Sequence, residues 1–221
     1  MTTFYLIRHG QASAGTDNYD RLSSLGQEQA RLLGEWWQHT AHQTHASYSG
    51  DLERQQHTAS ITTSTAKLSI PHDCLPELNE YNHHHIDEHF GQGAKSDQPG
   101  SYTFSDYVAT MQRWHAAGDA LPAGVESYVD FSTRGLSALK TVEARVEPGS
   151  HVAIFTSGGV IATIVGQLMQ FPFLRTMEAI WNIRNSSVTT LEIRDGSTHL
   201  IDYNTIAHLS VKSDPTIITL I

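Results

Sequence analysis

The feature that most constrains the fold is the alternation of short apolar segments with longer segments of helical periodicity. Residues 3–7 (TFYLI) and 151–155 (HVAIF) are short, largely apolar and rich in aromatic or β-branched residues, which is typical of buried strands. Each is followed by polar or glycine residues and later by a segment with helical spacing of apolar residues. This alternation predicts a three-layer α/β/α sandwich around a mostly parallel sheet.

Helix start signals place two helices in the first half of the chain. Ser24, with Gln27 three residues later, predicts a capping box before a helix over residues 25–39. Asp51 can cap a second helix, which then carries Arg54 in its first turn. Other segments predict helices over 105–117, 127–146 and 160–169, a strand over 47–49, a strand or extended link over 70–78, a tight glycine turn over 156–159, and an edge hairpin of 187–194 with 198–203.

Residues 82–124 differ in composition from the rest of the chain. They contain a histidine run, several glycines and prolines, and one segment with helical spacing. Because this stretch has few apolar residues of its own, we interpret it as an insertion over the active site rather than a separate domain. The sequence therefore predicts a single domain over residues 1–221.

Composition and charge exclude several classes of protein. Hydrophobic residues make up 39% and charged residues 17%, which excludes a highly charged disordered chain. Fourteen Lys and Arg stand against 23 Asp and Glu, without a basic run, so we expect no nucleic-acid partner. The longest apolar stretch, 160–169, falls short of the roughly 18 residues of a membrane span, so we expect no membrane partner. The single cysteine, Cys74, and the lack of a signal-peptide pattern predict a cytoplasmic protein.

Polar residues follow directly after several predicted strands, which is where ligands bind in open α/β sheets. These residues are Arg8, His9, Arg54, Glu80, Ser157 and Gly158. Two guanidinium groups can each make bidentate contacts with a phosphoryl group, and backbone N–H groups at a helix N-terminus add further donors. The pattern predicts a binding site for a tetrahedral phosphoryl group on a small phosphorylated substrate.

His9 is the residue of this set that can attack phosphorus. A neutral imidazole nitrogen is nucleophilic and forms a phosphoramidate that water later hydrolyses. Glu80 can protonate the leaving alcohol, while Arg8 and Arg54 stabilise the charge that spreads over the equatorial oxygens. The scheme requires no metal, and it predicts a phosphomonoester hydrolase.

The motifs, in their order along the chain, resemble the histidine phosphatase superfamily, also called the phosphoglycerate mutase-like family. The resemblance is carried by residues 4–11 (FYLIRHGQ), 26–30 (GQEQA), 49–59 (SGDLERQQHTA), 77–80 (ELNE) and 152–161 (VAIFTSGGVI). It implies that His9 is the phosphorylated nucleophile, that Arg8 and Arg54 clamp the phosphate and that Glu80 is the general acid. It also implies a phosphoglycerate mutase-like fold and a cofactor-free phosphatase of the histidine acid type.

The sequence departs from this family at a catalytic position. Members usually carry a second catalytic histidine where this chain has Ser157. A serine hydroxyl can donate a hydrogen bond to a phosphoryl oxygen, but it cannot supply the charge of an imidazolium. Losing one preorganised donor costs about 10² to 10³ in rate, so we expect reduced turnover. Gly15 is a second departure, because many relatives place a phosphate-contacting asparagine there, and Asn18 lies nearby in sequence.

Three alternatives to this hydrolase stay open at this point. The first is a phosphate- or phosphoester-binding protein with little catalysis, because Ser157 replaces the histidine. The second is a phosphoglycerate mutase, which needs a pocket that excludes water. The third is a metal site in the histidine run at residues 83–89. Adjacent histidines diverge, and His85 and His89 can share an ion only on a helix, so a solvated cluster is favoured.

Overall fold

The strands of the protein form one sheet. The computed structural model describes residues 1–13, 19–93, 102–118 and 120–220, so Gly15 and Asn18 lie outside the described residues. Its strands are β1 (Thr2–Arg8), β2 (Ala46–Ser49), β3 (His72–Cys74), β4 (His151–Thr156), β5 (Val188–Arg194) and β6 (Ser197–Thr205). Their order across the sheet is β3-β2-β4-β1-β5-β6. The pairs β3–β2, β2–β4 and β4–β1 are parallel. Strand β5 pairs antiparallel with β1 and forms with β6 the antiparallel edge hairpin that the sequence predicted.

Helices cover both faces of this sheet. In the described ranges they are α1 (Ser24–His39), α2 (Glu53–Thr65), α3 (His83–Phe90), α4 (Phe104–Ala117), α5 (Tyr128–Arg145), α6 (Gly158–Leu168), α7 (Phe173–Asn182) and α8 (Ala207–Ser210). None of them is long and apolar enough to cross a membrane.

Alternating side chains of the central strands build two separate cores. Phe4 and Leu6 of β1 belong to a large apolar cluster with residues of α4, α5 and α6. Ile7 points to the opposite face, where it packs with Leu33 and Trp37 of α1. This alternation is what a strand covered on both faces requires, because successive side chains leave the pleat in opposite directions. The result is the three-layer α/β/α sandwich around a mostly parallel sheet, and the fold prediction is confirmed.

Two of the predicted helix caps are wrong. Helix α1 is capped by Ser23, whose side chain accepts the Gly26 N–H, and not by Ser24, which is already helical. Helix α2 receives its cap from outside its own sequence segment, because the Asp20 carboxylate accepts the Glu53 N–H at 2.8 Å. Asp51 hydrogen-bonds with Asn79 instead. Asp20, which lies between β1 and α1 in sequence, therefore contacts the start of α2.

The segment 82–124 contributes more to the core than its composition suggested. Its histidine run forms α3, which the sequence did not predict, and α4 begins one residue earlier than expected. Ile86, Tyr107, Met111 and Trp114 are buried in the main apolar cluster. The described part of this segment thus packs against the body of the protein, while its position over the active site stays a prediction.

The remaining boundaries differ by a few residues from those expected. Helix α5 runs over Tyr128–Arg145 with Ser127 as its cap, and α7 was not predicted at all. The link over 70–78 contains β3 and a 3-10 helix over Pro76–Leu78. The glycine pair expected in a tight turn forms the first residues of α6, with Ser157 in extended conformation as its cap.

Candidate active site

His9 lies at the carboxyl end of β1, where its backbone N–H donates to the Thr156 carbonyl at the end of β4. Its side chain is only 5% exposed. Its Nδ1 lies 2.7 Å from the Gly10 carbonyl oxygen. Since a carbonyl only accepts, Nδ1 carries the hydrogen and Nε2 carries the lone pair. Burial, Arg54 and Arg8 lower the pKa of His9 well below its usual range, which keeps the ring neutral and nucleophilic at pH 7.

Arg54 contacts His9 from the first turn of α2, the position that the sequence predicted for it. It is 7% exposed, and its Nε donates to His9 Nε2 at 3.2 Å. Its Nη1 forms an ion pair with Asp20 Oδ1 at 2.6 Å, and its guanidinium carbon lies 5.7 Å from the ring centre of Tyr19. These contacts hold the guanidinium plane against the nucleophilic nitrogen, where it can also contact a transferred phosphoryl group.

Arg8 occupies the other side of the β1 terminus. Its Nη1 donates to the carbonyls of Ile183 and Leu220, which anchors the side chain. Its Nε is buried and has no hydrogen-bond partner in the described part of the chain. Burial lowers the pKa of this guanidinium, a cost that a bound anion would relieve. A Cβ added to Gly158 would lie 3.4 Å from this Nε, so Arg8 faces the start of α6.

Glu80 is held by backbone donors. Its Oε2 accepts the Gly159 N–H at 2.9 Å and its Oε1 accepts the Tyr81 N–H at 3.3 Å. Burial raises the pKa of the Glu80 carboxyl, although these hydrogen bonds and the charges of Arg54 and Arg8 act in the opposite direction. A carboxyl with a raised pKa retains its proton at higher pH than an ordinary one, as a general acid requires.

The Ser157-Gly158-Gly159 segment packs tightly against the rest of the site. A Cβ at Gly158 would lie 2.7 Å from Ile183 Cγ2, and one at Gly159 would lie 2.2 Å from Glu80 Oε1. A side chain at Gly158 would therefore collide with Ile183, and one at Gly159 would displace the Glu80 carboxyl. Ser157 is fully buried and does not cap α6 with its side chain. Its Oγ instead accepts a hydrogen bond from Gln55 Nε2 at 2.8 Å.

The structure brings His9, Arg54, Arg8 and Glu80 together and places Ser157 and Gly158 beside them; their chemical roles stay predictions. Sequence reasoning missed three supporting side chains, which are Asp20, Gln55 and Asn185. Gln55 had a usable signal, because it directly follows Arg54 in the 49–59 motif. Asn185 donates to the His9 carbonyl at 3.2 Å from 176 residues away, and no local pattern indicates it.

The histidine run at residues 83–89 is helical, which meets the condition for His85 and His89 to share one face. Both side chains are exposed. Among the described residues, no group of three or more His, Cys, Asp or Glu side chains is arranged to hold a metal ion.

Comparison with known proteins assigns the family. The chain matches the histidine phosphatase superfamily (branch 1) over residues 4–206 and belongs to that superfamily. Similar solved structures include Bacillus stearothermophilus YhfR, with a TM-score of 0.69, 23% identity, and coverage of 95% of this chain and 100% of that chain. The alpha-ribazole phosphatase of Shigella flexneri has a TM-score of 0.65, 23% identity, and coverage of 93% and 97%.

A phosphoglycerate mutase from Bacillus anthracis is also similar, with a TM-score of 0.67, 19% identity, and coverage of 95% of each chain. These likenesses show the fold, which is that of phosphatases and mutases alike. No curated protein matches the chain. The family resemblance inferred from the sequence motifs is confirmed.

Proposed function

We propose that the protein is a phosphomonoester hydrolase that acts through a phosphohistidine on His9. The observation that carries this proposal is the buried, neutral imidazole whose Nε2 holds the lone pair and faces the Arg54 guanidinium at 3.2 Å. This nitrogen is neutral and can attack phosphorus once the Arg54 N–H turns from it to a phosphoryl oxygen, where the cation stabilises the developing charge.

In the first step, His9 Nε2 forms a bond to phosphorus while the bond from phosphorus to the leaving oxygen breaks. Glu80 gives its proton to that oxygen, and Arg8 and Arg54 stabilise the equatorial oxygens. In the second step, water attacks phosphorus, its proton passes to Glu80, and the bond from phosphorus to nitrogen breaks. The cycle regenerates neutral His9 and protonated Glu80, and it uses no metal or organic cofactor.

The proposed substrate is a small phosphorylated molecule. Arg8 is partly buried and Arg54 is buried, and together they supply two cations to one site in a chain of net charge −9. Two cations concentrated in one site of an acidic chain attract a compact anion and not a polyanion.

The single cysteine, Cys74, is exposed and unpaired, which supports a reducing, cytoplasmic location.

The test is the hydrolysis of p-nitrophenyl phosphate together with detection of phosphohistidine by mass spectrometry after an acid-free quench. We expect a phosphate on His9 in the wild type, and loss of both turnover and phosphate in His9→Ala. His39→Ala is the matched control, because His39 is exposed at the end of α1. Full turnover in His9→Ala would contradict the proposal.

A second candidate is a phosphoester-binding protein with little turnover. It is favoured by the neutral Ser157, which supplies no imidazolium at the start of α6. This candidate predicts that inorganic phosphate binds in titration calorimetry while p-nitrophenyl phosphate is not hydrolysed and His9 stays unmodified. Steady turnover with phosphate on His9 decides in favour of the hydrolase.

A further inference from the structure

A buried pair of neutral side chains, Gln55 and Ser157, connects the starts of α2 and α6. Both side chains are fully buried, and Gln55 Nε2 lies 2.8 Å from Ser157 Oγ. Gln55 directly follows Arg54, and Ser157 directly precedes Gly158. The pair therefore lies between the arginine that contacts His9 and the helix start that faces Arg8 and Glu80.

The direction of the hydrogen bond in this pair is fixed by a third group. Gln55 Nε2 also lies 3.1 Å from the Leu78 carbonyl oxygen. A carbonyl oxygen only accepts, so the nitrogen end of the carboxamide must face Leu78. Its two hydrogens are then used by Leu78 and by Ser157 Oγ. Ser157 is consequently an acceptor toward Gln55, and its own hydroxyl hydrogen must point elsewhere.

Within the described part of the chain, Ser157 Oγ has no acceptor for that hydrogen. It does not bond to the first turn of its own helix, and among the described residues it bonds only to the Gln55 nitrogen. The neighbouring Thr156 hydroxyl differs in this respect, because it donates to the Leu78 carbonyl at 2.5 Å. A buried hydroxyl with an unused donor is costly unless a ligand accepts from it.

We propose that Gln55 is a positioning residue that turns the Ser157 hydroxyl hydrogen toward a phosphoryl oxygen in the site. A neutral amide and hydroxyl thereby supply the donor that the family usually takes from a second histidine. This inference rests on the proposed function, since it assigns a role within the same anion site. It also predicts that the donor does not titrate between pH 5 and 9.

The experiment measures the affinity of orthovanadate for the full chain by titration calorimetry in a double-mutant cycle. A hydrogen bond to a charged group changes affinity by about tenfold to a hundredfold. We expect this loss in Ser157→Ala, the same loss in Gln55→Leu, and no further loss in the double variant. Losses that multiply in the double variant, or unchanged affinity in Gln55→Leu, would overturn the inference.

Gln56→Leu is the matched control, because it makes the same change one residue further along on the exposed side of α2. Thermal unfolding of each variant separates a stability loss from an affinity loss. If Gln55→Leu does not fold, Gln55→Glu keeps the side-chain shape. Its carboxylate accepts the Ser157 hydrogen instead of donating to Ser157, so the same loss of vanadate affinity is expected, and wild-type affinity in Gln55→Glu would contradict the inference.

The two proposals fail in different ways. A wild type that binds vanadate but neither hydrolyses p-nitrophenyl phosphate nor carries phosphate on His9 contradicts the hydrolase. A hydrolytic wild type whose Gln55→Leu variant retains full vanadate affinity contradicts the role of Gln55 alone. A wild type that binds no vanadate contradicts both.

Discussion

The starts of α2 and α6 meet at the same site but differ in chemistry. Helix α2 brings a cation, Arg54, and is capped from outside by the Asp20 carboxylate, which also pairs with that cation. Helix α6 brings a neutral serine and two glycines, and no side chain of its own caps it. Its Gly159 N–H is taken by Glu80. The two cations of the candidate site thus come from β1 and α2, while α6 brings neutral groups and a backbone N–H that holds Glu80.

The largest expected effect lies on the α2 side. Arg54→Ala removes the cation beside His9 Nε2 and leaves Asp20 without its buried partner, so kcat should fall about a thousandfold. Steady-state hydrolysis of p-nitrophenyl phosphate measures it. Arg21→Ala is the control, because Arg21 forms an exposed ion pair with Glu53 and its loss should leave kcat unchanged. A loss below tenfold in Arg54→Ala would remove the contrast between the two helix starts.

The next effect concerns the acid held at α6. Glu80→Gln cannot protonate the leaving oxygen, so kcat/KM, which reports the step that forms the phosphohistidine, should fall about a hundredfold for an alkyl phosphate. It should fall much less for p-nitrophenyl phosphate, whose leaving group needs no proton. In the wild type, alkyl phosphate hydrolysis should decline as pH rises through the raised pKa of Glu80, and the variant should lack this decline. Glu77→Gln, an exposed carboxyl nearby, should behave as wild type. Equal losses with both substrates would argue against Glu80 as the acid.

The smallest effect is on the cap of α2. Asp20→Asn keeps an oxygen for the Glu53 N–H but loses the charge that pairs with Arg54, so the free energy of unfolding should fall by about 1 kcal/mol. Urea denaturation measures it. Asp73→Asn, which breaks an exposed ion pair with Arg145, is the control and should change stability by less. A change in Asp20→Asn no larger than in Asp73→Asn would show that the charge of Asp20 adds nothing to stability.

The parts of the structure that could be predicted from the sequence are those that local pattern determines. The strands near residues 3–7 and 151–155 are continuous apolar runs, and the residues that follow them reach the site because parallel strands end at one edge of the sheet. The placement of Arg54 in the first turn of α2 was also predicted, although Asp51, the residue expected to cap that helix, does not cap it.

The parts that could not be predicted depend on contacts between distant residues. Asp20 caps a helix 33 residues away, and Gln55 bonds to a serine 102 residues away. Neither spacing has a local signature. Helix α3 was missed because its sequence is almost entirely polar, and its fixed point is a single buried side chain, Ile86. The burial of Ile86 depends on the elements that pack against α3 and not on the periodicity of the α3 sequence.

The anchoring of Arg8 has a practical consequence for handling this protein. Its guanidinium donates to the carbonyl of Leu220, so Leu220 is in direct contact with one of the two arginines of the candidate active site. We expect an affinity tag joined there to disturb the anchor of Arg8 and to alter the measured activity. A tag joined ahead of Thr2 would begin at the far end of β1, a full strand length from His9, and is the better choice for purification.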